Sequence, residues 1–393
     1  MLRPSRGGSV RADDFHAPVA GRLITTMDGA LAFVPAPLPP QIEYDTELVL
    51  ALSQADGALS ELSGLGRLLP DPHVLIAPYL RQEAVLSSRI EGTVTTLSEL
   101  LIDQAGAATT ERERDDLREV RNYVVALEHG LARLAELPLS LRLVREVHER
   151  LMRGVRGDSR SPGEFRRIQN WIGPPGSTLA TATYAPPPVA EMTEALGLWE
   201  RFVNDRDSTP PLVQCALMHE HFEAIHPFLD GNGRIGRLLI TLFLVERGRL
   251  SQPLLYLSAF IEAHRSEYYD ALLRVRTDGD WRGWLLFFLA GVSETAKRAA
   301  QQAAALMGIR ERYHELFRRA PRAVALVDEL FRSPYVTTAG VAKALGVSTP
   351  TAKRAMDKLL AEGVLQDLGE RAWRRVYLAP EIMRAIESPL EDM

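Results

Sequence analysis

His226-Pro-Phe-Leu-Asp230-Gly-Asn-Gly-Arg-Ile-Gly-Arg237 places an imidazole, a carboxylate, a run of turn-forming residues and two guanidiniums in one short stretch. The apolar run that follows, Leu238 to Val245, predicts a buried helix. Gly231, Asn232 and Gly233 give the backbone freedom for positive φ and for close approach by a ligand. Successive N–H groups in such a turn, with the positive end of a helix starting near Arg234, make an anion-binding concavity. Arg234 and Arg237 lie three apart and share a face of the first turn. Two cations at a helix N-terminus are unfavourable alone and make sense around a polyphosphate. Asp230 would repel bare phosphate, and Mg²⁺ removes the conflict because it takes a carboxylate together with phosphate oxygens. His226, with an ordinary pKa of about 6.5, is largely neutral at pH 7 and can take a proton from an attacking hydroxyl. A His-Pro pair can also be helix punctuation, and Asp-Gly-Asn-Gly an ordinary turn. The whole string favours a site.

Outward from this string, the 393 residues predict two or three domains. A net charge of −5 argues against non-specific attraction of the whole chain to nucleic acid or acidic membrane. The single cysteine, Cys215, fits a reducing compartment, and with no signal-peptide pattern or membrane-length apolar run the expected location is the cytoplasm. Residues 1–40, with six prolines from Pro4 to Pro40, read as an extended arm. Helical periodicity then covers residues 41–135, with one helix expected to begin at Pro78 and end at Gly92. Residues 136–300 read as the core around the motif. Within it, Gly163 to Pro188 reads as a loop with a short hairpin, and Ser258 to Arg276 as one helix. Residues 301–393 begin with a linker helix. From Pro321 on, helix, turn, helix and a hairpin with Gly369 at its tip suggest a winged helix-turn-helix. The fold class expected is mainly α with a small β-hairpin flap and that C-terminal module.

The motif string resembles the Fic-domain pattern HPFx(D/E)GNGRxxR at every fixed position. The resemblance implies a nucleotidyltransferase that moves AMP from ATP, with Mg²⁺, to a Ser, Thr or Tyr hydroxyl of a target protein or of itself. Carried onto this chain, His226 would be the general base and Asp230 the metal ligand. Gly231, Asn232, Gly233, Arg234, Ile235, Gly236 and Arg237 would bind the nucleotide phosphates. Tyr268 and Tyr269 resemble the family's pair beside the adenine, and Thr181, Ala182 and Thr183 the flap edge that docks the target. Doc-type kinases of this fold carry a lysine at the Gly233 position, so Gly233 favours AMP transfer. Phosphocholine and other nucleotidyl transfers share the motif and stay open.

Upstream, Ser87-Ser-Arg-Ile-Glu91-Gly92 puts Ser87 and Glu91 one turn apart at the negative end of a helix, where a carboxylate is disfavoured by about 0.3–1 kcal/mol. A cationic partner would remove that cost; a solvated glutamate at a fraying end is the plainer alternative. The string resembles the family's inhibitory (S/T)xxxE(G/N) motif. The resemblance implies that Glu91 competes with the ATP γ-phosphate for Arg237; in some relatives this glutamate also serves AMP removal. His219 and His221 face different sides of a helix, which argues against a zinc site with His226. A second reading, from another class, is a DNA-binding regulator. It would place Lys353 and Arg354 on a recognition helix and Arg371, Trp373, Arg374 and Arg375 on a wing. Family members often form dimers, which leaves a homodimer open.

Overall fold

The computed structural model describes residues 15–68, 72–105, 111–155, 161–174, 176–371 and 374–387. It opens with a hairpin, β1 (Gly21–Thr25) and β2 (Leu31–Pro35), paired antiparallel with Leu23 opposite Phe33. The described part of residues 1–40 is therefore no simple arm. Its prolines bracket the strands instead of interrupting them, and Gly29, at φ 79°, supplies the turn. Phe33 donates its N–H to Ala185 O (2.9 Å), and its ring packs against Phe15 and Tyr184.

Helices follow: α1 (Thr46–Leu68), α2 (Pro72–Ile90), α3 (Leu97–Gln104), α4 (Glu111–Arg133) and α5 (Leu141–Met152). The helix expected from Pro78 begins at Pro72 instead, and Pro78 lies inside it. An interior proline forfeits one backbone bond. Burial of Ile76, Tyr79, Leu80 and Ala84 along the same helix holds it together. After α5 the chain crosses a long loop whose only β pairing among the described residues is the bridge Ile172–Tyr184, with a 3₁₀ turn at Leu179–Thr181. The flap is thus less regular than the expected hairpin.

Next come α6 (Val189–Asn204), α7 (Pro211–Ile225), α8 (Asn232–Glu246), α9 (Ser258–Ala263), α10 (Arg265–Asp278) and α11 (Trp281–Leu316). The single helix expected over 258–276 is broken at His264, whose φ and ψ of −109° and 36° lie outside the helical well. α7 is buried from Leu212 to Ile225 and forms the axis of the core. A helix buried all round must satisfy its polar side chains internally. It also receives indole donors: Trp199 Nε1 on Met218 O (3.0 Å) and Trp284 Nε1 on Ala216 O (2.9 Å).

The C-terminal module comprises α12 (Pro321–Arg332), β3 (Tyr335–Val336), α13 (Thr338–Ala344), α14 (Thr349–Ala361), β4 (Gln366–Arg371), β5 (Arg374–Leu378) and α15 (Pro380–Glu387). Its sheet runs β3-β5-β4. Gly369, at φ 80°, sits inside β4 where the β4–β5 register shifts, and the pairing continues past it to Arg371 opposite Arg374. α12 packs on α2, where Arg81 reaches Arg332 O (3.2 Å), and Gln302 of α11 reaches Ile386 O (3.3 Å). Among the described residues, no helix is long and apolar enough to cross a membrane.

Candidate active site

α7 ends at His226, which adopts a left-handed conformation (φ 49°, ψ 61°) while its N–H still closes on Phe222 O (3.0 Å). This geometry costs a non-glycine residue about 1 kcal/mol and recurs at functional sites. The loop to α8 is closed by Asn232: its Oδ1 accepts from Phe228 N and its Nδ2 donates to Phe228 O, both at 2.8 Å. Gly231, at φ 77°, caps α8, and Asp230 Oδ1 takes its N–H (2.7 Å), leaving the Asp230 side chain half-exposed at the mouth. Burial, with the Arg276 and Arg166 cations nearby, pushes the His226 imidazole down to about 3, so it is neutral near pH 7.

Arg237 is buried, with its Nε and Nη2 both engaged. Its Nε donates to Ser87 Oγ (2.9 Å), and Nη2 donates to Ser87 O (2.8 Å) and Glu91 Oε1 (2.7 Å). Glu91 lies one residue beyond α2, and Gly92, at φ 104°, turns the chain away. Burial alone would raise the Glu91 carboxyl, but Arg237, with Arg234 and His226 behind it, holds it below the usual range. The carboxylate lies directly over Gly233, where an added Cβ would collide with Glu91 Oε1. Arg234, one turn away, pairs with Glu119 of α4 (3.2 Å) and approaches Asp230 (3.7 Å). The two guanidiniums thus flank one spot, and each already meets a carboxylate.

The other sequence-predicted residues divide. Ile235 turns its side chain into the core, and its N–H closes the first helical bond on Gly231 O (3.0 Å). Gly236 gives its carbonyl to His219 Nδ1 (3.0 Å) and faces Glu223, with which a Cβ would collide. Tyr268 is buried with its OH on His219 Nε2 (2.8 Å), while Tyr269 is only partly buried, its ring 5.2 Å from that of Tyr268. His221 points away to Ala36 O (2.9 Å), so the paired histidines diverge. On the flap, Thr181 is exposed, Ala182 buried, and Thr183 gives both N–H and Oγ1 to Ile172 O (2.9 Å each).

Sequence reasoning missed the residues that hold this loop from behind. Arg166, 2% exposed, donates to His226 O (3.1 Å) and Ile168 O (3.2 Å) and bonds Pro187 O, tying His226 to the loop that precedes α6. Asn170 Nδ2 reaches His226 O (3.2 Å) and Phe228 O (2.9 Å). His148 accepts Gly163 N–H at Nδ1 (2.9 Å), so its Nε2 carries the proton and donates to Asp230 O (3.1 Å). For Arg166 and Asn170 the signal was a cluster of polar residues in the segment that reads as a loop with a short hairpin, whereas His148 lies on α5. Arg265 bonds Ile90 O, the last carbonyl of α2, beside Glu91. On the C-terminal module, Lys353 is paired with Asp357 (2.6 Å) and Arg375 with Asp367 (3.2 Å). Arg354 is exposed. Trp373 and the Arg371 and Arg374 side chains lie outside the described residues.

Residues 49–132 match the family described as Fic/DOC family N-terminal, and residues 138–244 the Fic/DOC family. The protein adenylyltransferase Fic of Drosophila grimshawi is 29% identical over 203 residues, covering 50% of this chain and 38% of that protein. Its counterpart in Drosophila virilis is 27% identical over 256 residues, 62% of this chain and 49% of that protein. The chain thus spans at most half the length of these curated relatives. A Fic family protein from Desulfovibrio desulfuricans G20 superposes with a TM-score of 0.56 at 20% identity, covering 87% of this chain and 98% of that one. A Fic domain containing signaling protein from Bacteroides thetaiotaomicron gives 0.50 at 20%, over 66% and 95%. With a mainly helical Fic fold, small β-sheets and a C-terminal sheet with helices consistent with a small extra domain, the chain is a Fic/DOC family protein, distantly related to protein adenylyltransferase Fic.

Proposed function

We propose that the chain transfers AMP from ATP to a hydroxyl of a protein, itself included, and that Glu91 restrains the reaction. The observation that carries this reading is the Glu91–Arg237 contact over Gly233, beside a neutral His226. In this reading His226 takes the proton of the acceptor hydroxyl as its oxygen bonds the α-phosphorus and the bond to pyrophosphate breaks. The N-terminal turn of α8 receives the phosphates, and Arg237 the outermost of them once Glu91 withdraws. The Asp230 carboxylate, a hard oxygen donor at the mouth of the loop, suits Mg²⁺, which supplies charge neutralisation of the phosphates when bound. Tyr269 and the flap edge at Thr183 would face nucleotide base and target backbone. Residues 41–135 act as the inhibitory region and 136–300 as the catalytic core.

Intact-mass analysis of the Glu91→Gly chain after incubation with ATP and Mg²⁺ tests the reading. An added AMP moiety, absent in Glu91→Gly/His226→Ala, is expected. Gain of a phosphoryl group, or equal labelling with His226 replaced, would overturn it.

A further inference from the structure

The last turn of α7 carries a carboxyl for which the reading above has no use. Glu223 is buried, and its Oε2 lies 3.9 Å from His226 Nδ1. Glu223 Oε1 and His226 Nδ1 make no hydrogen bond of normal geometry among the described residues, although the main-chain carbonyl of Glu223 also lies close enough to the His226 ring to favour its protonated form. Unsatisfied buried polar groups are rare and costly, and two adjoining side chains that carry one each, with Glu223 Oε2 nearest the ring, call for a reason. α8 is cut away where this carboxyl sits, since Gly236 is the only residue type that leaves room for Oε1 there. Its electrostatic neighbours come from every element around it. Arg237 of α8 and Arg276 of α10 favour the anion, whereas Glu220 of α7 and Glu91 oppose it. Arg276 is already committed to Glu220 (3.1 Å), and His219 is held by Gly236 O and Tyr268 OH.

We propose that Glu223 is the positioning residue for His226, accepting the Nδ1–H of the imidazole so that Nε2 faces the acceptor hydroxyl bare. This inference rests on the transferase reading. The separation is an ion-pair distance, and closing it by about 1 Å gives a hydrogen bond. Burial and the Arg276 and Arg166 charges make the His226 ring a weak base, so the imidazolium formed during transfer needs a counter-charge nearby. Glu223 is the carboxylate paired with Nδ1 in this structure. The proton taken at Nε2 stays on the ring, while Nδ1–H keeps its bond to the carboxylate. Burial, with Glu91 and Glu220, pushes the Glu223 carboxyl up to about 7. Withdrawal of Glu91 then does two things: it frees Arg237 and favours the ionised form of Glu223.

The test uses the full chain in the Glu91→Gly background, comparing Glu223, Glu223→Gln and Glu223→Asp. ATP-dependent labelling is followed from about pH 5.5 to about pH 8.5, together with ATP affinity and melting temperature. With Glu223 present, activity should rise with a midpoint below about 7, because Glu91 no longer opposes ionisation of Glu223. Glu223→Gln should lower kcat about tenfold or more with ATP affinity within about twofold, and should lose that pH limb; Glu223→Asp should recover part of the rate. Ring ¹⁵N spectra of the histidine-labelled chain, with His226 assigned by its loss in His226→Ala, should show an Nδ1–H tautomer that becomes mixed in Glu223→Gln. Unchanged rate and tautomer in Glu223→Gln, with the fold intact, would overturn the proposal. A tautomer shift without any labelling by the Glu91→Gly parent would instead sink the transferase reading and leave the positioning of the ring standing.

Discussion

Arg234 and Arg237 stand one turn apart on α8, and each meets a carboxylate, yet the two pairs are built to different ends. Glu119, which takes Arg234, sits in the middle of α4, and its side chain is only 7% exposed. Glu91, which takes Arg237, hangs past the end of α2 with 36% of its side chain in solvent. The chemistry is the same, and the backbone behind the carboxylate differs. Removing Glu119 from its arginine would require α4 to leave the core, whereas removing Glu91 needs only the turn at Gly92 to give. An ion pair becomes scaffold or latch according to how firmly its weaker-held partner is anchored.

That contrast can be broken by experiment. The largest expected effect is on stability: Glu119→Gln leaves the buried Arg234 charge short of a partner and should cost about 3 kcal/mol or more by urea denaturation. Glu91→Gly should cost about 1 kcal/mol or less, because its carboxylate is partly solvated, while raising the rate of labelling by ATP about tenfold. Equal stability losses in the two variants would abolish the distinction. Ser87→Ala removes one buried acceptor of Arg237 and leaves Glu91 in place. About 1 kcal/mol of the latch would go, giving a labelling rate a few times that of the unaltered chain.

Acid gives the mildest and most discriminating comparison. Glu91's folded pKa is depressed, so its contribution holds above its usual carboxylate value and is lost only as pH falls through the lower folded one. The buried imidazoles of His148, His219 and His221, and the part-exposed one of His226, are pushed down by desolvation to about 4, 3, 4 and 3. The unfolded chain binds protons at these sites below about pH 6.5, so folding stability declines from there toward pH 4. Acidification should therefore weaken the core before it opens the latch. Melting temperature should fall over that window, and His221→Gln should make the slope shallower; an unchanged slope would count against it.

Much of this was legible in the residues. The motif string places His226, Asp230 and the arginines in one turn, and the Ser87–Glu91 spacing puts both on the helix face that meets Arg237. The α3 start was legible too, in the Thr96-x-x-Glu99 capping box, but was passed over. What local pattern hides is long-range closure. Nothing near Arg166 or His148 in sequence says that their donors hold the carbonyls of His226 and Asp230, because those bonds span 60 and 82 residues. Pro78 misled for a related reason: local propensity counts the lost backbone bond, and only tertiary burial repays it. Gly369 marks a left-handed residue correctly but cannot say whether a bulge or a turn requires it.

α11, at 36 residues, is a rod about 54 Å long, and a short turn after Leu316 joins it to the C-terminal module at Pro321. The module then folds back, so that α12 shields a flank of α2 and Arg81 reaches its last carbonyl. Core, rod, module and α2 make a closed ring. The last seventy-odd residues are thus masonry under the helix that leads to Glu91, and a chain truncated after Leu316 would leave that helix standing with one side in water.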